Sequence, residues 1–305
     1  LQKDLYKDKN RGKMKALAID VGGTKIYATI VDEKGNIVAD IEKYPTPYDL
    51  QKIEDIFREI ISKHEDNVDV IAFSTAGAVN LDCTRINSST GNLVKGYSDF
   101  DFQSLSTKKR VYVENDANCA AWAEHEIGAS KGMPNAIMIT LGTGVGGGII
   151  LNNKLFKGKS GAAGEMHFKM YPDKRRKCTC GAYDCFEAYA SGTGLKKTGE
   201  EISKNPNITT YDIVEGMQKG DKLMTEIFNK WQDHILAGLI GLTDLFDPDC
   251  IVLSGSMAQF VDTDYLEQKT NEEIIVQPTK VLKATAGNYA GMIGAGLLAL
   301  GAING

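Results

Sequence analysis

Two short glycine-rich stretches of the sequence carry the residue types that bind phosphate groups. The first combines an aspartate, two glycines, a threonine and a lysine, at Asp20, Gly22, Gly23, Thr24 and Lys25. Glycines let the backbone approach a phosphate closely, and the carboxylate at the end of the preceding strand could orient a hydrated Mg²⁺. A plain hairpin turn is the alternative, but such a turn does not need the aspartate, threonine and lysine together. We therefore predict a phosphate-binding turn.

The second stretch, Thr140–Gly148, has the same character and supplies Gly142, Thr143 and Gly144. Gly142, Gly144 and Gly147 also satisfy the pattern G-x-G-x-x-G of dinucleotide-binding proteins, which requires a helix after the glycines. Here the glycines lead into a short β-like run of isoleucine and leucine instead. The pattern therefore favours a β-hairpin, and a dehydrogenase is the weaker alternative.

Asp116 is placed where a carboxylate could act as a catalytic base. It follows the apolar strand Val111–Val113 and precedes a helix predicted over Ala117–Ile127. Such a junction of strand and helix faces a crevice in α/β folds. A carboxylate there could accept the proton of a hydroxyl that attacks a phosphate, while Mg²⁺ and backbone donors stabilise the phosphoryl charge. The alternative is that Asp116 only caps the helix.

The predicted elements repeat one pattern in the two halves of the chain. Strands at Lys15–Val21, Ile26–Val31 and Asn36–Asp40 form an antiparallel meander with the first glycine stretch in its first turn. Apolar residues at helical spacing then predict a helix over Asp49–His64. The second half begins in the same way, with a strand at Ala136–Leu141 that leads into the second glycine stretch.

Composition and charge exclude several classes of partner. The chain has 305 residues, 42% of them hydrophobic and 25% charged, with a net charge of −5. No basic field exists that would attract nucleic acid or a membrane surface. The longest nearly apolar stretch, Ile235–Leu245, is too short to cross a bilayer. Because no secretion signal is indicated, we expect a cytoplasmic protein, with residues 1–13 as a flexible extension.

The six cysteines fall into two groups. Cys83, Cys119 and Cys250 are dispersed, which is typical of reduced thiols in a core. The other three are clustered, at Cys178, Cys180 and Cys185. In a cytoplasmic chain, clustered thiols bind metal more often than they form disulfides, so the cluster is a candidate metal site.

Taken in order along the chain, these motifs resemble the ROK family of repressors, open reading frames and kinases. The resemblance runs from Met14 to Ala302 and rests on eight segments: Asp20–Lys25, Ser74–Val79, Glu114–Asn118, Thr140–Gly148, Gly164-Glu165, Cys178–Glu187, Ala190–Gly192 and Ser254-Gly255. It implies an α/β protein with the actin-like ATPase (ribonuclease H-like) fold, two lobes and a ligand cleft between them. The expected N-terminal lobe is 14–115 plus 290–305, and the larger C-terminal lobe is 116–289.

The same resemblance implies a sugar kinase that uses ATP and Mg²⁺, with Asp116 as the catalytic base. The sugar contacts that it implies come from Gly77, Asn92, Asn115, Asp116, Glu165 and Glu187. Carboxylates suit this role because each offers several lone pairs to a polyol. The ATP contacts that it implies come from both glycine stretches and from Gly255 and Ser256.

This chain departs from the family's metal-binding motif at one position. The family places three cysteines and one histidine around a structural zinc ion, a closed tetrahedral site. Here Phe168 occupies the histidine position, and His167 precedes it. A one-residue shift in an extended segment points a side chain to the opposite face, although a bulge could return it. Zinc with His167, zinc with another fourth ligand and no zinc therefore remain open.

The resemblance leaves the sugar open. The Ser74–Gly77 and Asn115–Glu124 stretches look most like bacterial N-acetylmannosamine kinases of sialic acid catabolism, whereas Glu165 and Glu187 suit a glucokinase equally well. A non-catalytic sugar sensor is the alternative from another class. A repressor is not expected, because the segment before the first strand is too short for a DNA-binding unit. A homodimer is expected, since symmetric dimers are the commonest soluble oligomers.

Overall fold

The computed structural model of the protein describes residues 14–88 and 94–304. Its strands are β1 (Lys15–Val21), β2 (Lys25–Asp32), β3 (Glu42–Pro45), β4 (Val70–Thr75), β5 (Ala78–Val79), β6 (Ile86–Ser88), β7 (Val111–Asn115), β8 (Ala136–Leu141), β9 (Val145–Leu151), β10 (Lys154–Leu155), β11 (Cys250–Ser254) and β12 (Lys280–Lys283). Its α-helices are α1 (Leu50–His64), α2 (Asp116–Glu126), α3 (Glu187–Ala190), α4 (Gly192–Ser203), α5 (Thr210–Gln218), α6 (Lys222–Phe246), α7 (Thr263–Glu273) and α8 (Ala290–Asn304).

Two five-stranded sheets have the same topology. Their strand orders are β3-β2-β1-β4-β7 and β10-β9-β8-β11-β12. In each sheet the first three strands form an antiparallel meander, and the last two join it in parallel. The structural repeat predicted from the two glycine stretches is therefore confirmed.

The described residues divide into two compact units. The first consists of the chain up to Ile127, the short segment Gly158–Ala162, and the chain from Ala286 onward; the second consists of Gly128–Lys157 and Ala163–Thr285. The structure thus places α2 in the first unit, whereas the boundary predicted from the sequence lies after residue 115. The reason is that α2 packs against α8, a contact between residues far apart in sequence. Residues 1–13 lie outside the described part of the chain.

Both faces of the first sheet are covered, and the pattern of β1 explains how. Side chains alternate between the faces of a strand, so Leu17 and Ile19 lie in the core on the α1 side. Ala16 lies in a second core that includes Ala295 and Ala299 of α8. Small side chains on this face let α8 lie close to the sheet.

The second unit is built around the long helix α6. Trp231 is fully buried there, together with Ile139 of β8, Phe186 and Leu195 of α4. Asp221 caps the N-terminus of α6 by accepting a hydrogen bond from the Met224 N–H. The second unit therefore has one large hydrophobic core.

One predicted strand is misplaced. The third strand is β3 at Glu42–Pro45, not Asn36–Asp40. Within the predicted segment, Ile37 forms only an isolated bridge with Val31, and the Val38 N–H donates to Ile30 O. The chain turns tightly after β2, and regular pairing with β2 begins only at Glu42.

Candidate active site

Asp116 is the first residue of α2 and lies directly after β7. The helix is capped by Asn115, whose side chain accepts a hydrogen bond from the Asn118 N–H at 3.0 Å. The alternative role of Asp116 as the cap is therefore filled by its neighbour. One carboxylate oxygen, Oδ1, accepts from the Ala117 N–H at 2.8 Å. Water reaches the residue, but the surrounding protein desolvates the carboxylate and raises its pKa, against the effect of the Ala117 N–H.

The structure brings Asn115 and Gly77 together. The Asn115 side-chain amide donates to Gly77 O at 3.1 Å, and its Oδ1 atom serves the helix cap. Both ends of the amide therefore have a protein partner, and a sugar hydroxyl could use the second N–H or the second lone pair of the oxygen. Asn92, the other sugar contact expected in this half, lies outside the described residues.

Glu114 lies at the same junction, and no role was predicted for it from the sequence. It is fully buried and accepts hydrogen bonds from the Asn115 N–H at 2.9 Å and from the Asn118 side-chain amide at 3.1 Å. The signal was present in the sequence, because a carboxylate at the end of an apolar strand needs buried donors. Glu114 thus supports the backbone that carries Asp116.

Asp20 is held by Ser74 at the ends of β1 and β4. The Ser74 hydroxyl donates to Asp20 Oδ1 at 2.6 Å. Burial raises the pKa of Asp20 to about 6; the Ser74 hydrogen bond opposes this increase, and the charge of Asp116 adds to it. A buried carboxylate beside a second negative charge is suited to bind a cation.

The first glycine turn is an exposed hairpin between β1 and β2. The Gly22 N–H donates to Lys25 O at 2.9 Å, and Thr46 Oγ1 donates to Gly22 O at 2.7 Å. Gly23 has open space around its Cα, with no atom within 4 Å of the position of a Cβ. The exposed Thr24 completes a turn whose backbone a phosphate could approach.

The second glycine turn is also a hairpin, as predicted, but it is shorter. It consists of Gly142, Thr143 and Gly144, because β9 already begins at Val145 and includes the following three glycines. No helix follows these glycines directly, so the dehydrogenase alternative is excluded on this point. The Gly142 N–H donates to Gly144 O at 3.0 Å within the turn.

Gly255 and Ser256 lie next to this turn. Gly255 has φ of +87°, and a Cβ at this position would come within 2.5 Å of Leu141 O, the last residue of β8. The Met257 N–H donates to the same carbonyl at 2.9 Å. The predicted ATP contacts of the second unit therefore lie around the end of β8: Gly142, Thr143, Gly144, Gly255 and Ser256.

Glu187, the first residue of α3, connects the second glycine turn to the loop that carries Cys178, Cys180 and Cys185, here called the cysteine loop. Its Oε2 atom accepts from the Val145 N–H at 3.1 Å, and a Cβ on Gly144 would come within 2.5 Å of this atom. Its Oε1 atom accepts from the Thr179 hydroxyl and from the Cys178 thiol at 3.3 Å. Since each carboxylate oxygen has two lone pairs, these bonds leave capacity for sugar hydroxyls.

Glu165 is exposed in the segment between β10 and α3. The preceding Gly164 has φ of +93° and packs against the backbone of Gly147, so that a Cβ on Gly147 would come within 2.8 Å of Gly164 O. The glycines at 147 and 164 therefore serve to place Glu165 beside β9.

The cysteine cluster gathers the donor atoms of a zinc site. Ligand atoms of His167, Cys178 and Cys180 lie within 4.8 Å of one another, and the Cys185 sulfur lies 3.6 Å from that of Cys180. Three thiols and one imidazole are the donor set of a structural zinc site, so the residues fit this metal. Phe168 stacks on Phe186 instead, with ring centroids 4.8 Å apart.

In the part of the chain that the structure describes, no helix is both long and apolar enough to cross a membrane.

Comparisons with known proteins agree with these features. A family model described as the ROK family matches residues 16–302. A glucokinase of Streptomyces coelicolor is 32% identical, over 93% of this chain and 96% of its own length. An N-acetylmannosamine kinase of Yersinia pseudotuberculosis is 30% identical, over 93% of this chain and 98% of its own length.

A solved structure shares the fold along nearly the whole chain. The ROK family glucokinase from Streptomyces griseus, in complex with glucose and AMPPNP, superposes with a TM-score of 0.77 and 30% identity. The match covers 94% of this chain and 99% of the other. The protein therefore belongs to the ROK family and has the actin-like ATPase fold of that family's sugar kinases.

Proposed function

We propose that this protein transfers the γ-phosphate of ATP to the 6-hydroxyl of a hexose or N-acetylhexosamine. The chain is a sugar kinase, in keeping with its family and with its 32% and 30% identity to a glucokinase and an N-acetylmannosamine kinase. The observation that carries the reaction is the position of Asp116. It begins α2 without capping it, is reached by water, and has a raised pKa, as a general base requires.

The other residues take their roles from the contacts described above. Gly22–Lys25, Gly142–Gly144, Gly255 and Ser256 supply backbone and side-chain donors to ATP. Asp20 is the carboxylate that fits Mg²⁺, which would neutralise charge on the phosphates. Gly77, Asn115, Glu165 and Glu187 would accept or donate hydrogen bonds to sugar hydroxyls.

N-acetylmannosamine is the first candidate substrate, because the Ser74–Gly77 and Asn115–Glu124 stretches resemble kinases for that sugar. Glucose is the second candidate, since the glucokinase of Streptomyces coelicolor is 32% identical over nearly the whole chain. The chain would act in sialic acid catabolism in the first case and in glucose metabolism in the second.

A coupled assay of ADP release tests both candidates. The protein is incubated with Mg·ATP and, in turn, N-acetylmannosamine, glucose, N-acetylglucosamine, fructose or no sugar. We expect ADP release that depends on sugar and is fastest with N-acetylmannosamine. A preference for glucose would transfer the assignment to a glucokinase. A folded protein that binds ATP but releases no ADP with any sugar would instead be a sugar sensor.

Two further proposals concern the molecule as it is purified. A structural zinc ion held by Cys178, Cys180, Cys185 and His167 would close the loop that leads into α3 and Glu187. A homodimer is proposed on the frequency of symmetric dimers alone. Sedimentation equilibrium would measure the mass of the protein in solution, and a monomer at micromolar concentration would contradict the homodimer.

A further inference from the structure

A single buried guanidinium joins the two helices that follow the cysteine loop. Arg176 is only 7% exposed. Its Nη1 atom donates to Ala188 O of α3 at 3.2 Å and to Gly194 O of α4 at 3.4 Å. Its Nη2 atom donates to Thr198 Oγ1 of α4 at 3.1 Å.

The charge of Arg176 is balanced by Glu201, a residue of α4. Nε and Nη2 donate to the two carboxylate oxygens of Glu201 at 2.8 and 2.6 Å, and the guanidinium lies 4.3 Å from the ring centre of Tyr189. The Glu201 side chain itself is 56% exposed. The ion pair is therefore at the rim, whereas the bonds to α3 and α4 are internal. A planar fork with five N–H donors can satisfy all these acceptors, and an ammonium group cannot.

The junction between α3 and α4 also holds the second glycine turn. The Gly192 N–H donates to Gly142 O at 2.8 Å, and Thr193 Oγ1 donates to Thr143 O at 2.8 Å. Glu187, at the start of α3, accepts from the Val145 N–H. Three hydrogen bonds therefore connect α3 and α4 to the second glycine turn and to the start of β9. Arg176 holds these two helices together.

We propose that Arg176 is a positioning residue for the kinase reaction. It fixes α3 against α4, so that Glu187 and the Gly142–Gly144 turn keep the geometry needed for sugar and for ATP. The inference rests on the proposed function, because it uses the roles of Glu187 and of the turn. Arg176 acts only through these groups.

Arg176→Lys tests the inference, with Glu201→Gln as the matched control. The lysine keeps the charge but loses the fork, whereas Glu201→Gln removes the charge of the exposed partner and leaves the bonds to Ala188, Gly194 and Thr198. We expect Arg176→Lys to lower kcat/KM by about tenfold to a hundredfold, with higher KM values for sugar and ATP, since small misplacements of binding groups have effects of this size. Glu201→Gln should stay within about twofold.

Tryptophan fluorescence supplies a readout that does not depend on activity. Trp231 Nε1 donates to Ala190 O and Ser191 O at 3.1 and 3.0 Å, so its emission reports on the α3–α4 junction. Trp122, the second tryptophan, contributes equally to each variant. The emission of Arg176→Lys should shift, and that of Glu201→Gln should match the wild type.

The outcomes separate the two claims. A wild type without activity on any sugar overturns the proposed function and, with it, the kinetic role of Arg176. An active wild type whose Arg176→Lys variant has a lower melting temperature but unchanged kcat and KM overturns the positioning role alone. If Arg176→Lys does not fold, Thr198→Val removes one acceptor and keeps the arginine. It should then raise the KM values by about fivefold, the effect of losing one hydrogen bond, and unchanged KM values would overturn the inference.

Discussion

Asp116 differs from an ordinary residue of a helix N-terminus because the capping is done by Asn115. We predict that Asp116→Asn lowers kcat by about a hundredfold or more, since it removes the general base. The variant should fold and bind sugar, because an asparagine Oδ1 can still accept from the Ala117 N–H. Turnover and sugar titration by calorimetry measure the two effects.

The control for this substitution is Asp264→Asn. Asp264 is exposed in the first turn of α7, so its replacement removes one charge from an equivalent helical position. It should retain full activity. An Asp116→Asn protein with more than about a tenth of the wild-type kcat would contradict the assignment of the base.

The second prediction at this scale concerns Asp20, whose ionised carboxylate lowers the stability of the folded protein. Its pKa is raised to about 6 in the folded protein, from an ordinary value of 3.8. Its ionisation therefore costs stability as the pH rises from about 4 to about 6, and the full cost remains above that range. Asp20→Asn should be more stable than the wild type by about 3 kcal/mol at pH 7.5, and nearly equally stable at pH 4.

Urea unfolding without added magnesium measures this difference, and the coupled assay should show that Asp20→Asn has lost most of its activity. The Ser74 hydroxyl can still donate to the asparagine, so the comparison isolates the charge. A variant that is less stable than the wild type at pH 7.5 would show that the carboxylate is stabilised, not strained, in its folded surroundings.

At the scale of single elements, α8 fits the first unit through its glycines. A Cβ on Gly294 would overlap the carbonyl oxygen of Cys119 in α2, whereas Gly301 has no atom within 4 Å of its Cβ position. Gly294→Ala should destabilise the protein by about 3 kcal/mol through overpacking. Gly301→Ala should stabilise it by up to about 1 kcal/mol through helix propensity. Equal melting temperatures for the two variants would contradict this packing.

The second prediction at this scale concerns zinc binding by the cysteine loop. If it holds zinc, the purified protein contains about one zinc ion per chain, and His167→Ala loses it while His64→Ala, altered at the C-terminal end of α1, retains it. Removing the metal with a chelator should lower the melting temperature by about 5–10 °C. Metal analysis of the three proteins decides the matter, and a zinc-free wild type would refute the site.

The sequence predicts the elements of this fold better than the contacts between them. The two hairpins and the place of Asp116 follow from local patterns of glycine, apolar and acidic residues. The bonds of Glu187 to Val145 and Thr179, and the packing of α2 on α8, join residues far apart in the chain. No local pattern encodes such contacts. The displaced third strand has a different cause, because both Asn36–Asp40 and Glu42–Pro45 could pair with β2.

At the scale of the whole molecule, the two units differ in how the chain builds them. The second unit is nearly continuous, from Gly128 to Thr285, whereas the first needs α8 from the far end of the chain. We predict that a fragment of residues 128–285 folds by itself and that a fragment of residues 14–127 does not. Circular dichroism and amide NMR spectra of the two fragments test this. A cooperatively unfolding 14–127 fragment would contradict the role given to α8.

The dependence of the first sheet on α8 also has a consequence for protein synthesis. β1 leaves the ribosome before the second unit, and α8 leaves it after the second unit. Until then Ala16, Ala72 and their neighbours have no helix to cover them. During translation the first unit must therefore wait with one face of its sheet open, while the second unit can complete its core. A nascent chain stalled before residue 290 should expose that face to chaperones.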